Sequence, residues 1–282
     1  MRRPTRSKAM LSPALLATRS ILRIAGGDAR KWLHNLVTSS VEALQSQQAT
    51  FAALLTPQGK IIADFFVVPD GRDLLLDCDS AIAPSLMKRL SIYKLRADVS
   101  ITDAGSMLAV CAFWNGAPPY VSQGIVFADP RDERLGWRMI APPSEIDACG
   151  ADADAFADFD AHRIALGVPD GGRDFAYGET FPHEANMDKL RGVDFRKGCY
   201  IGQEVVSRVE HRGTARKRIV RVQYDGIAPA PFTPVNADDI VIGECGSSQG
   251  INGLAMLRLD KVEDAIAAGR RLHANGITLR LV

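Results

Sequence analysis

Arg196-Lys197-Gly198-Cys199-Tyr200-Ile201-Gly202-Gln203-Glu204 is the most informative run of this 282-residue chain, and it continues as Val205-Val206-Ser207-Arg208. Two glycines flank a cysteine, and Val205, Val206 and Val209 predict a helix that begins about where the glycines end. Gly198 and Gly202 permit backbone conformations or close approaches that a side chain would forbid. Cys199 then lies near a helix N-terminus beside Arg196 and Lys197, and both sources of positive potential favour a thiolate. Free cysteine is more often a small buried hydrophobe. The glycines and cations argue instead for an accessible, activated thiol with Lys197 as its cationic neighbour, and composition leaves both alternatives open.

Working backwards, Ala153 to Leu166 reads as a helix ending at Gly167, with Pro169 just beyond. Strand-like runs precede it at Val99 to Thr102, Leu108 to Phe113, Ile125 to Phe127 and Leu135 to Ile140. A helix carrying Ile82, Leu86, Met87 and Leu90 begins near Ser80, with Pro84 admissible only in its first turn. Ala49 to Leu55 and Lys60 to Val68 read as strands joined by Thr56-Pro57-Gln58-Gly59, and Leu74 to Leu76 adds another. Ser20 to Ile24 is a strand leading into Gly26-Gly27, after which Asp28 is placed to cap a helix whose face is Ala29, Trp32, Leu33, Leu36 and Val37. Strands and helices interleave without regular βαβ spacing, which points to an α+β fold. After Gly213 the chain becomes short strands between Gly-, Pro- and Asn-rich turns, with Asn275-Gly276 as a tight-turn signal. That is the pattern of a small β-barrel.

Hydrophobic residues make up 46% and charged residues 24%, with a net charge of +1, so the core needs no metal or disulfide to hold it. Cys78, Cys111, Cys149, Cys199 and Cys245 show no metal-knuckle or CxxC spacing, and an odd count fits a reducing compartment. No stably bound metal is expected within one chain. The apolar runs are too short to span a bilayer, so no membrane partner is expected. Met1 to Gly27 holds six basic residues and no acid, a presequence-like composition that also fits a short lead-in with Met10 as the natural start. Arg208, Arg212, Arg216, Lys217, Arg218 and Arg221 face a single acid, Glu210. That stripe could attract a polyanion, but without interleaved aromatic residues nucleic acid is disfavoured.

Lys197-Gly198-Cys199-Tyr200-Ile201-Gly202-Gln203-Glu204 resembles, without a gap, the signature of the YgfZ-type folate-binding proteins, relatives of the glycine-cleavage aminomethyltransferase. Phe181-Pro182, Glu184 to Asp188, Gly192 to Phe195, Trp32 to Thr38 and Leu55 to Lys60 fit the same pattern. The resemblance implies an aminomethyltransferase-like fold. One discontinuous α+β domain would comprise residues 10–48 and 136–211, an inserted α+β domain residues 49–135, and a C-terminal β-barrel residues 212–282. It also implies tetrahydrofolate in a central cavity, a part in the assembly or maintenance of iron–sulfur enzymes, and iron–sulfur client or assembly proteins as partners. Cys199 inherits the role of functional thiol, while Tyr200, Gln203 and Glu204 are assigned by motif position. Phe159, Asn186, Asp188 and Asp64 are the candidate folate contacts. The expected compartment is the cytoplasm in a bacterium and the mitochondrial matrix in a eukaryote.

Two departures argue against aminomethyl transfer. By the resemblance, the transferase's catalytic aspartate falls on Ala63 in Gly59-Lys60-Ile61-Ile62-Ala63-Asp64, and only the neighbouring Asp64 remains. Alternation from Ile62 places Asp64 on a strand face with an apolar residue, so it is as much a structural as a site carboxylate. The transferase's pterin-holding glutamate falls on Ala165, which offers no acceptor to a ring N–H. Three readings therefore compete. They are a folate-linked accessory protein for iron–sulfur enzymes, a one-carbon transferase with altered groups, and a folate-independent binding module for protein or RNA.

Overall fold

The computed structural model describes residues 13–282 except 115, 118–119 and 214. Met10 and most of the basic lead-in lie outside the described residues. The first half runs β1 (Ala14–Leu15), β2 (Arg19–Ala25), α1 (Ala29–His34), β3 (Thr50–Leu55), β4 (Ile61–Asp70), β5 (Asp73–Asp79), α2 (Ala83–Lys94) and β6 (Ser100–Asp103). Five of these strands form one antiparallel sheet in the order β3-β4-β5-β2-β6. The Thr56–Gly59 turn forms as its residues predict, with Gly59 N–H donating to Thr56 O at 2.8 Å and Gly59 at φ 82°. Pro84 falls in the first turn of α2, where its missing N–H costs nothing. Asp28 precedes α1 without capping it through its side chain. Its carboxylate instead accepts Asp98 N–H, while that of Asp98 accepts Gly27 N–H, each at 2.9 Å.

The second sheet takes β7 (Ala109–Phe113), β8 (Ile125–Ala128) and β9 (Trp137–Ala141) and recruits β1, in the order β1-β7-β9-β8. Ile21, Phe51, Phe66 and Leu75 of the first sheet share one apolar cluster with Val110, Ala112, Phe127 and Ile140 of the second. The main core is therefore held between the sheets. On the other face of the first sheet, Leu22, Leu54, Phe65 and Leu76 pack on Leu33 of α1 and on Leu86 and Leu90 of α2. The outer face of the second sheet is closed by Ile146 of α3 (Pro143–Ala148), a helix too short to show a period in the sequence.

Hydrogen-bonded pairing crosses both expected cuts, 48/49 and 135/136. β2 pairs with β5 from Arg19↔Asp79 to Ile24↔Leu74, and β9 pairs with β7 from Ala141↔Ala109 to Trp137↔Phe113. Those cuts do not follow the sheets, because a local pattern marks a strand without naming its distant partner.

α4 (Phe156–Ala165) starts three residues later than predicted and ends before Gly167, at φ 73°. After α5 (Gln203–Arg212) come β10 (Lys217–Tyr224), β11 (Pro234–Ala237), β12 (Ile240–Gln249), β13 (Asn252–Arg258), α6 (Leu259–Ala267), β14 (Leu272–Ala274) and β15 (Ile277–Leu281). The six strands close as β10-β13-β12-β11-β14-β15 around Val222, Tyr224, Ile242 and Leu257. Asn275 and Gly276, at φ 48° and 79°, make the predicted hairpin turn between β14 and β15.

Candidate functional site

The motif loop is fastened at two points. Gly202, at φ 81°, stands at the N-cap of α5, and a Cβ there would come within 2.6 Å of Thr56 O and 3.0 Å of Gly59 Cα. The β3–β4 turn thus presses on the start of α5, and only glycine fits. Gly198 does not share this requirement: its φ is not positive, and an added Cβ would meet nothing within 4 Å. At the other point, Lys197 Nζ donates to His34 O at 2.5 Å and to Val37 O at 2.7 Å. These carbonyls lie at the C-terminal end of α1, where the helix dipole favours a cation. Burial brings the Lys197 ammonium down to about 8, opposed by the charges of Asp194 and Cys199. Lys197 is therefore first an anchor between loop and helix, and only second a charge near sulfur.

The preceding segment is tied to the same place. Thr38 Oγ1 donates to Gly192 O at 2.6 Å and accepts Ala53 N–H at 2.8 Å, while Asp194 N–H donates to Thr38 O at 2.9 Å. Two blocks far apart in sequence thus meet under the motif. His34 sits beside it, with Nδ1 accepting Val41 N–H at 3.3 Å; burial, helped by Lys197, lowers its pKa. Asp194 and His34 lie in blocks that fit the family pattern, yet no spacing rule connected either of them to Cys199.

Cys199 is exposed, whereas Cys78, Cys111 and Cys245 are buried and Cys149 is partly buried. Burial pushes the Cys78 thiol up to about 12 and raises those of Cys111 and Cys245 as well. Tyr200 belongs to the core, with its hydroxyl unpartnered among the described residues and its pKa pushed to about 12 by burial. Gln203 opens α5, and Glu204 pairs with Arg208 one turn on at 2.6 Å. Glu204 thus serves the first turn of the helix.

The expected folate contacts do not converge. Asn186 Nδ2 donates to Ile219 O at 2.7 Å, and Asp188 accepts from Arg218 at 2.6 Å, so both fasten β10. Asp64 accepts from the Tyr177 hydroxyl at 2.5 Å; burial raises its pKa, outweighing that hydrogen bond. Pairing slips between Leu54 and Leu55, leaving Ile62 as an extra residue that packs on the helix-side core with Ala63. The bulge breaks the alternation from Ile62, so Asp64 faces the core between the sheets while Ala63 is sealed on the opposite side. Phe159 is 4% exposed in the main core, tilted 56° against Trp114 at 5.4 Å. Ala165 is exposed, and its carbonyl accepts from Arg221 at 2.9 Å.

Phe159 does line a slit between the sheets, with Phe66, Arg19, Arg131, Arg138 and Arg163. Its cations are already engaged. Asp77 accepts from Arg19 at 2.6 Å and from Arg138 at 2.8 Å, and Asp129 pairs with Arg131 at 2.8 Å. Burial alone would raise Asp77, but Arg138 and Arg19 outweigh it and hold it below the usual carboxylate range. The guanidiniums of Arg19, Arg131 and Arg138 stand 5.9, 4.8 and 4.4 Å from the Phe66 ring centre. Arg163 joins Asp160 (2.8 Å), Asp174 (2.7 Å) and Ser247 of β12 (2.7 Å), linking α4 to the barrel. The slit holds about 20 Å³, against the roughly 300–1,000 Å³ of ordinary ligand clefts. As it stands it does not fit a pterin ring.

His183, Asp188 and Glu210 bring potential metal-ligand atoms within 4.8 Å of one another. Arg218 pairs with Asp188 at 2.6 Å and Glu210 with His183 Nε2 at 3.0 Å, while the buried His183 Nδ1 has no partner among the described residues. No helix among the described residues is long and apolar enough to cross a membrane.

Residues 216–282 match the family described as CAF17, C-terminal beta-barrel domain. The human mitochondrial iron–sulfur cluster assembly factor IBA57 is 31% identical over 277 residues, covering 87% of this chain and 77% of that protein. Its mouse counterpart is 30% identical with the same coverage. The homologue in Mycosarcoma maydis is 36% identical over 224 residues, 73% of this chain, which spans 55% of that longer relative. In structure, the glycine cleavage system aminomethyltransferase T from Bartonella henselae superposes with a TM-score of 0.71 over 96% of this chain and 84% of its own, at 12% identity. That likeness shows an aminomethyltransferase-like fold ending in a closed barrel, and at this identity it shows the fold alone.

Proposed function

Because the chain belongs to the family of IBA57 iron–sulfur cluster assembly factors, we propose that it assists cluster assembly by offering the Cys199 thiol to a cluster carried by a protein partner. Accessibility carries the reading: Cys199 is exposed on a loop pinned to α1 and to the β3–β4 turn, while Cys78, Cys111 and Cys245 are buried. One exposed thiol supplies one ligand where a [4Fe–4S] cluster takes about four. The cluster is therefore cargo, shared with the partner. The finer likeness to the YgfZ-type branch rests on the Lys197–Glu204 motif. The proposed compartment is the mitochondrial matrix, as for the relatives named above, or the cytoplasm if the source is bacterial.

The resemblance also supports tetrahydrofolate as a ligand, but the slit beside Phe159 must widen to admit it. Aminomethyl transfer gains nothing from the geometry, since Ala63 is sealed in the helix-side core. Titrating tetrahydrofolate into the wild type, with Ala63→Asp and Ala165→Glu as controls, tests the ligand separately.

Cys199→Ala is expected to fold normally and to leave [4Fe–4S] enzymes inactive in cells that carry only this variant. Wild-type activity there would remove Cys199 from the function. Purified protein reconstituted anaerobically on its own should retain no stable [4Fe–4S] cluster; a full, stable one would overturn the shared-cargo reading.

A further inference from the structure

At the far end of α5 the basic stripe meets the barrel. A cleft of about 340 Å³ opens between Val209 of α5, the Phe181–Glu184 segment and the barrel. Its lining includes three cations, Arg216, Lys217 and Arg258, against one carboxylate, Glu184. Asp260 holds Arg258 at 2.7 Å and Glu244 lies 4.0 Å from Lys217, both from outside the lining. Arg216 is exposed. Of the other stripe cations, Arg208 pairs with Glu204, Arg218 with Asp188, and Arg221 donates to Ala165 O, while Arg212 is exposed at the end of α5 outside the lining. The cleft therefore brings Arg216 and Lys217 of the stripe together with Arg258 of β13.

We propose that this cleft binds an acidic segment of a protein partner. Its cations suit side-chain carboxylates, and Glu184, whose Oε2 accepts Phe181 N–H at 2.9 Å, retains acceptor capacity for peptide N–H groups. A nucleic-acid backbone brings phosphate oxygens but few donors for that carboxylate. One face of the Phe181 ring in the lining is also already covered, by the Lys60 ammonium 3.6 Å over it, which disfavours base stacking. Val209 lies six residues beyond Gln203, roughly 9 Å along the helix axis. A partner reaching the motif loop at the start of α5 could engage the cleft with the same surface. The binding proposal itself does not depend on Cys199 chemistry.

The test is fluorescence anisotropy with a fluorescein-labelled octapeptide of alternating glutamate and glycine, read against full-length protein at low salt. Wild type should bind saturably, and Arg216→Glu and Arg258→Glu should each weaken binding about tenfold, with further loss as salt rises. Arg280→Glu, on β15 at the far end of β10 where it pairs with Gln223, six residues beyond Lys217, should change it less than about twofold. Cys199→Ala should bind like wild type, which separates this site from the cluster reading. Thermal melts confirm that each variant is folded. Absence of saturable binding, or equal weakening by Arg280→Glu, would overturn the proposal. So would tighter binding of single-stranded RNA of equal charge, or of a γ-linked polyglutamate chain.

Discussion

The slit between the sheets and the loop bearing Cys199 are opposite solutions to placing polar chemistry in one chain. In the slit, Arg131, Arg138 and Arg163 are buried and Arg19 partly so, and each is matched to at least one carboxylate. In the loop, the sulfur is exposed and only its neighbours are tied down. Buried ion pairs are costly to desolvate and costlier still to break. The interior therefore cements the sheets and the barrel together, while the Cys199 thiol stands at the surface. The largest test of that contrast is Asp77→Ala, which leaves the buried Arg138 and the partly buried Arg19 without their shared partner. It should cost about 3–5 kcal/mol in urea denaturation, and a loss under about 1 kcal/mol would mean that water already fills the slit.

Acid sharpens the comparison next. Burial alone would raise Asp160, but Arg173 and Arg163 bring it down to about 2. A carboxylate depressed on folding contributes stability that is fully present above the ordinary pKa near 4 and is lost as pH falls through about 2. Asp160→Asn should therefore flatten the stability profile in that window by roughly 1–2 kcal/mol. An unchanged acid limb would place the stability loss in other carboxylates.

Outside the core the expected effects shrink. The Lys197 ammonium, brought down to about 8 by burial, is charged below that pH and neutral above it. Its field at Cys199 is therefore present at pH 7 and gone by about pH 9.5. Lys197→Met should slow iodoacetamide alkylation of Cys199 about threefold at pH 7 and have no effect at the upper end. Equal rates at every pH would leave Lys197 as an anchor alone.

Much of this contrast was legible in the sequence. The β3–β4 turn, the Asn275-Gly276 hairpin, α4 before Gly167 and the glycine entry to α5 all use local signals, and all formed. β11, β14 and α6 did not announce themselves, because two are strands of four and three residues and the helix follows β13 directly. Strand pairing crosses the expected domain cuts because it is non-local, and a local pattern does not record it. The slit network was invisible for the same reason: Asp77, Arg138 and Arg19 sit on three strands that only folding brings together. The glycines and cations left the cysteine open between a buried and an accessible reading, and only the structure shows it exposed. Its tether to the α1 carbonyls was not, since a backbone oxygen leaves no trace in composition.

The smallest expected change closes the comparison. Cys199→Ala removes a side chain that faces solvent, leaving no cavity and no unpaired buried group. Its cost should fall within about 0.5 kcal/mol, an order of magnitude below Asp77→Ala. The loop's order comes from Gly202 against Thr56 and from Lys197 on the α1 carbonyls, and neither contact uses sulfur. If urea denaturation instead showed a loss above about 1.5 kcal/mol, the thiol would be part of the scaffold, and failure of the variant in cells would reduce to lost stability. A melt matching wild type, beside lost [4Fe–4S] enzyme activity, would show a residue that does its work at the surface.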